Sequence, residues 1–164
     1  MVIDEGLSGL CVASPYGTLH VAASADAVRS IRWERPEGWT PVMDSDPQRQ
    51  LLDETAGQLS AYFDGRLTSF DLPLHPFGDE FQQSVCSLML DIPYGETTTY
   101  GAIAEKLDTY GQPIGQACGS NSIPIIIPCH RVLAANGIGG YSGDGGVERK
   151  IELLKLEGGF PYLL

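Results

Sequence analysis

The chain has 164 residues, 43% of them hydrophobic, and a formal net charge of −11 from 10 Lys+Arg against 21 Asp+Glu. That is enough for one or two small domains with a real core. It excludes a basic nucleic-acid-binding half, because residues 1–75 carry 5 basic and 11 acidic side chains and residues 76–164 carry 5 and 10. Any contact with DNA must then rest on a local patch, backbone amides and helix N-termini.

No apolar run of about 18 residues is present, so no membrane span is expected. Met1-Val2-Ile3-Asp4-Glu5 has no basic region leading into an apolar stretch, so no secretory signal is expected. Cys11, Cys86, Cys118 and Cys129 form no CxxC pair and no metal-ligand spacing. Reduced thiols, a cytoplasmic setting and no metal are the expectation.

Residues 9–14 and 17–23 alternate around Pro15-Tyr16-Gly17 and predict a β-hairpin, with a third strand over Val28 to Trp33. Glu34 to Pro41 reads as a polar loop. Asp46-Pro47 predicts a helix start, with Asp46 as N-cap, an apolar face of Leu51, Leu52, Leu59, Tyr62 and Phe63, and Gly65 as the stop. This helix would cover the three-stranded sheet. His20 and His75 have no partner by spacing and are expected to be structural or exposed.

Leu72-Pro73-Leu74-His75-Pro76-Phe77-Gly78 reads as the boundary between a domain over 1–76 and another over 77–164. Asp79 should cap a helix with Phe81, Val85, Leu88, Met89 and Ile92 inward, ended by Pro93. Cys86 lies beside that face. Thr99 should cap a short helix with Tyr100, Ile103, Ala104 and Leu107 on one face. Gln112-Pro113 should open a second, with Pro113 first and Ile114, Ala117 and Cys118 turned inward. Two short helices joined by a tight turn make a helix-turn-helix pattern. Gly137 to Gly146 predicts a loop that passes close to a ligand or to backbone, and Val147 to Glu157 a last helix closed by Gly158-Gly159.

Between these lies Ile125-Ile126-Ile127-Pro128-Cys129-His130-Arg131-Val132. Three β-branched residues before a proline predict a buried extended segment. A thiol and an imidazole at its end suit nucleophilic catalysis, in which a thiolate attacks and a base takes its proton. In extended chain the two side chains would point to opposite faces, so a water would have to link them.

The ordered set resembles one family. Phe81-Gln82, Ile92-Pro93-Tyr94-Gly95-Glu96-Thr97, Tyr100-Gly101, Asn121, Pro128-Cys129-His130-Arg131-Val132, Gly139-Gly140-Tyr141-Ser142-Gly143 and Leu153-Leu154 with Glu157 stand in the order and spacing of the O6-alkylguanine-DNA alkyltransferases, also called methylated-DNA–protein-cysteine methyltransferases. The resemblance covers residues 79 to 159, and the N-terminal part more loosely. It implies an α+β fold: a small three-stranded antiparallel sheet with one covering helix, then a mostly helical, winged-helix-like helix-turn-helix domain.

It also implies stoichiometric transfer of an alkyl group from O6-alkylguanine, and from O4-alkylthymine, to Cys129 after base flipping. No cofactor is involved, the partner is alkylated double-stranded DNA, and the protein acts as a monomer. By the same resemblance His130 is the base, Glu157 orients it, Asn121 braces the turn carrying Cys129, and Tyr100 assists the leaving guanine. Tyr141, Ser142, Gln112, Gly115 and Ala117 are implied to contact base or DNA. Arg131 is left between phosphate binding and a carboxylate partner within the fold.

Three departures stand out. Gln112 occupies the place of the family's arginine that fills the gap left by a flipped base, Cys86 that of a tryptophan, and extra residues lie around Asp144 to Gly146. With no Lys or Arg from Pro113 to Ser120, weak, salt-sensitive duplex binding is expected. The competing readings are a non-repairing alkyl-base sensor, whose relatives lack the cysteine, a Cys-His hydrolase that turns over, and a plain helix-turn-helix regulator.

Overall fold

A computed structural model describes residues 7–139 and 146–158. The chain forms two compact units, Met1–Pro76 and Phe77–Leu164, and its fold class is α+β.

In the first unit, β1 (Ser8–Ser14), β2 (Gly17–Ala23) and β3 (Val28–Arg32) form an antiparallel sheet in that order, with an irregularity at Ala22/Ala23. Helix α1 (Arg49–Phe63) packs on it. Leu19, Val21, Ile31, Leu52, Leu59 and Tyr62 are fully buried between the two layers.

The helix begins later than the Asp46-Pro47 signal suggested. Asp46 caps an upstream turn instead, its Oδ2 accepting from the Met43 N–H at 2.8 Å, and α1 starts at Arg49 without a side-chain cap. Each edge strand of the sheet takes up one further segment through an isolated bridge. Val28 N–H donates to Pro73 O and His75 N–H to Val28 O, each at 2.9 Å, so the segment leading to the unit boundary is pinned to β3. On the other edge Gly9 pairs with the Thr40–Val42 segment. A Cβ at Gly9 would collide with the buried Trp39 indole, so this loop carries core and is not merely polar.

In the second unit α2 (Glu80–Leu90) is capped by Asp79, whose carboxylate accepts from Gln82 N–H. The buried face is Gln82, Val85, Cys86 and Met89, and Phe81 is 37% exposed. The expected stripe is rotated because Gln82 turns inward, where its Nε2 donates to Ala117 O at 2.7 Å. A two-residue parallel ladder joins β4 (Thr98–Thr99) to β5 (Val132–Leu133). Helices α3 (Tyr100–Lys106) and α4 (Gly111–Gly119) pack together as a helix-turn-helix, and α5 (Val147–Glu157) ends at Gly158 in left-handed backbone, φ 71°. Thr99 caps α3 through Ala102 N–H. Helix α4 starts two residues before Pro113, so proline sits within its first turn rather than at its first position.

Candidate active site

The isoleucine run is not extended. Ile127 N–H donates back to Ile123 O at 3.0 Å, and Ile125 has φ 76°. That is a costly conformation for a β-branched residue. Buried sequence of this kind suits a strand or a tight turn equally well by periodicity, and tertiary packing chose the turn. Pro128 then sits at φ −83°, ψ 68°, with Cys129 N–H donating to Ile127 O at 2.8 Å: an inverse γ-turn. Cys129–Arg131 form one 3₁₀ turn closed by Arg131 N–H to Pro128 O. Cys129 and His130 therefore do not alternate across a strand.

Asn121 braces this turn. Its Nδ2 donates to Ile127 O at 2.8 Å, and its Oδ1 accepts from Ile123 N–H at 3.0 Å. Cys129 is 4% exposed. Burial pushes its thiol above the usual range, while the Asn121 amide, the Lys150 ammonium and the backbone N–H groups of Cys129 and His130 act in the opposite direction. Burial prevails, so the thiolate forms only once the proton has a destination.

His130 is fully buried, and its Nε2 lies 2.7 Å from Glu157 Oε2. Burial holds its pKa below the ordinary histidine value despite the carboxylate. The carboxylate can only accept, so Nε2 carries the hydrogen and Nδ1 keeps its lone pair. Nδ1 is buried and meets no hydrogen-bond partner among the described residues. A neutral imidazole so oriented can take up a proton.

Arg131 settles its own ambiguity. Its Nε donates to Glu157 Oε1 at 2.8 Å, Nη2 to Oε2 at 3.0 Å and Nη1 to Ile92 O at 2.6 Å. The buried guanidinium thus forks onto a buried carboxylate and a backbone carbonyl.

Sequence reasoning missed Lys150. It is fully buried, and its Nζ donates to Val132 O at 2.7 Å and lies 3.5 Å from the Tyr100 hydroxyl. Burial lowers its pKa to about 8, against the pull of Cys129 and Cys118. The signal was present: Lys150, Leu153, Leu154 and Glu157 follow the i, i+3, i+4, i+7 spacing of one helix face, and all four are buried. The β4–β5 ladder brings Tyr100, the first residue of α3, beside this group. Gly139 passes Tyr100 so closely that a Cβ there would lie 2.9 Å from the tyrosine hydroxyl, and its φ of 75° also favours glycine.

On α4, Gln112, Gln116 and Gly119 are exposed and Gly115 is half-buried. Ala117 is 4% exposed and faces the interior, so it offers nothing to a groove despite the resemblance that placed it on DNA. Tyr141, Ser142 and the extra residues at Asp144 and Gly145 lie outside the described residues.

Two family models match nearly the whole chain: 6-O-methylguanine DNA methyltransferase, ribonuclease-like domain, over residues 10–76, and 6-O-methylguanine DNA methyltransferase, DNA binding domain, over residues 80–159. The chain belongs to the 6-O-methylguanine DNA methyltransferase family. It is 41% identical over 149 residues to a methylated-DNA–protein-cysteine methyltransferase of Methanosarcina acetivorans, covering 88% of this chain and 94% of that one. The crystal structure of Mycobacterium tuberculosis O6-methylguanine methyltransferase matches with a TM-score of 0.81 at 38% identity, covering 93% of each chain. That of the Mycobacterium tuberculosis protein OGT in complex with DNA matches with a TM-score of 0.79 at 39% identity, covering 93% of this chain and 92% of that one. The two family matches divide the chain where its two compact units divide.

Proposed function

We propose that this protein repairs alkylated DNA by moving the alkyl group of O6-alkylguanine onto Sγ of Cys129, once per molecule. The observation that carries this reading is one buried turn, braced by Asn121, that carries the Cys129 thiol and the His130 imidazole on consecutive residues, with His130 Nε2 held by Glu157.

The target atom lies inside the duplex, so the nucleotide is everted into the site, with α4 in the groove. The Cys129 proton passes through a water to Nδ1 of His130, and Glu157 stabilises the imidazolium. The Lys150 ammonium favours the thiolate. Sulfur attacks the alkyl carbon in line, the carbon–oxygen bond breaks, and guanine leaves with the electron pair on O6. Lys150 Nζ lies 3.5 Å from the Tyr100 hydroxyl, the group that meets the departing base on this reading. O4-alkylthymine presents the same alkyl–oxygen bond and is a second substrate on this reading.

The product is a thioether, which water does not cleave at any useful rate, so each chain reacts once. Incubation with a duplex containing O6-methylguanine should raise the intact mass by one methyl for hydrogen exchange. Cys129→Ala should show no increase, and more than one transfer per chain would reject the reading.

A further inference from the structure

We propose that Tyr110 is the side chain that enters the duplex and fills the space left by the everted nucleotide. The inference rests on the repair reading above and names how the same site holds its substrate.

The turn between α3 and α4 is closed by its own hydrogen bonds. Leu107 N–H donates to Ile103 O and Ala104 O, Asp108 N–H to Glu105 O, and Thr109 N–H to Ala104 O at 3.0 Å. Asp108 sits in left-handed backbone, φ 53°. Tyr110 is thus delivered at a fixed place, in extended backbone at φ −129°, ψ 175°, as the N-cap residue of α4.

That position is chemically odd. An N-cap favours Ser, Thr, Asp or Asn, whose short side chains accept from the first helical N–H groups, and Tyr110 makes no such bond. It is also 68% exposed, above the other exposed large hydrophobics Met43, Leu90, Val147 and Phe81. A single exposed apolar residue is ordinary. Here two local preferences are broken at one residue, at the leading end of the helix that meets the groove, and such conflicts concentrate at functional positions.

Eversion of a nucleotide leaves a gap bounded by two base-pair faces. A planar ring fits that gap by stacking, as intercalating side chains and aromatic platforms do elsewhere. Nothing else on the leading end of α4 can do so. Gln112 there, and Gln116 one turn further on, are exposed but carry no ring and no charge. Gln112, two residues on, can hydrogen-bond the edge of the orphaned base while Tyr110 occupies the stack. Stacking is sequence-tolerant and independent of charge, which suits a chain of net charge −11.

The test uses the full chain in single-turnover transfer from two substrates: a duplex carrying one O6-methylguanine, and free O6-benzylguanine, which needs no eversion. In Tyr110→Ala the ratio of the duplex rate to the free-base rate should fall about tenfold, and Tyr110→Trp should restore it to within about twofold. With 2-aminopurine placed next to the lesion, the fluorescence rise on binding should be reduced in Tyr110→Ala and recovered in Tyr110→Trp. An unchanged ratio in Tyr110→Ala, or a loss that Tyr110→Trp does not recover, overturns the assignment. A wild-type chain that takes an alkyl group from neither substrate overturns the repair reading itself, and this inference with it.

Discussion

The two units bury different kinds of polar group. In the first, the buried polar residues are Ser8, Ser30, Gln48 and Thr55, all neutral. In the second, His130, Arg131, Lys150 and Glu157 are buried together, and they are the buried ionisable groups among the described residues apart from the thiols and the Tyr62 phenol. Desolvating charges costs several kcal/mol each before pairing recovers it, so a cluster of them is a poor way to stabilise a fold. The second unit bears that cost and so holds a thiol, an imidazole and an ammonium in one dry place.

The contrast can be tested at several depths. The largest expected effect is on rate: His130→Gln should slow single-turnover transfer roughly 10²–10⁴-fold, the usual worth of a positioned base. Loss within a factor of two would remove His130 from the proton path. Next comes stability. Glu157→Ala strands Arg131 and His130 without their carboxylate and should cost roughly 3–5 kcal/mol in urea unfolding. Asn121→Ala removes a donor to Ile127 O and an acceptor from Ile123 N–H in a buried turn, for about 1–3 kcal/mol.

A smaller effect depends on pH. Lys150 binds its proton less tightly in the folded chain, at about 8, than in the unfolded one, at 10.5, so the unfolded chain holds more protons between those values and stability rises with pH there. The thiols of Cys86 and Cys118 are pushed by burial from 9.0 up to about 11 and about 12, so above pH 9 they make stability fall. The net gain is confined to pH 8–9 and is about 1 kcal/mol. Lys150→Met should abolish that rise in denaturation midpoints measured across the window. The smallest effect belongs to the first unit. Thr55→Val removes only a hydroxyl bond back to Leu51 O within α1 and should cost under about 1 kcal/mol, with transfer unaffected.

Much of this was readable before any coordinates. The hairpin and third strand, the Asp79 and Thr99 caps and the Gly158 stop follow from local chemistry that acts within a few residues, and each forms where its residues stand. The ordered residues around Cys129 also carried the family. What misled was local signal that tertiary contacts overrode. Asp46-Pro47 looked like a helix start but closes a turn, and Phe81 looked inward until Gln82 claimed that face to satisfy Ala117 O. The isoleucine run matched a strand and became a turn with Ile125 at φ 76°, because packing and Asn121 outweigh the backbone cost.

By itself the sequence determined the elements, their order and the chemical kinds of side chain near Cys129, since those depend on propensities and spacings a few residues long. Only the tertiary structure decided which nitrogen of His130 is held, that Arg131 pairs with Glu157, and that the Lys150 ammonium lies over Val132 and Tyr100. Those facts depend on residues 18 to 50 positions apart meeting in a water-poor core, where a pairing of charges is fixed by distance and desolvation and leaves no trace in local pattern.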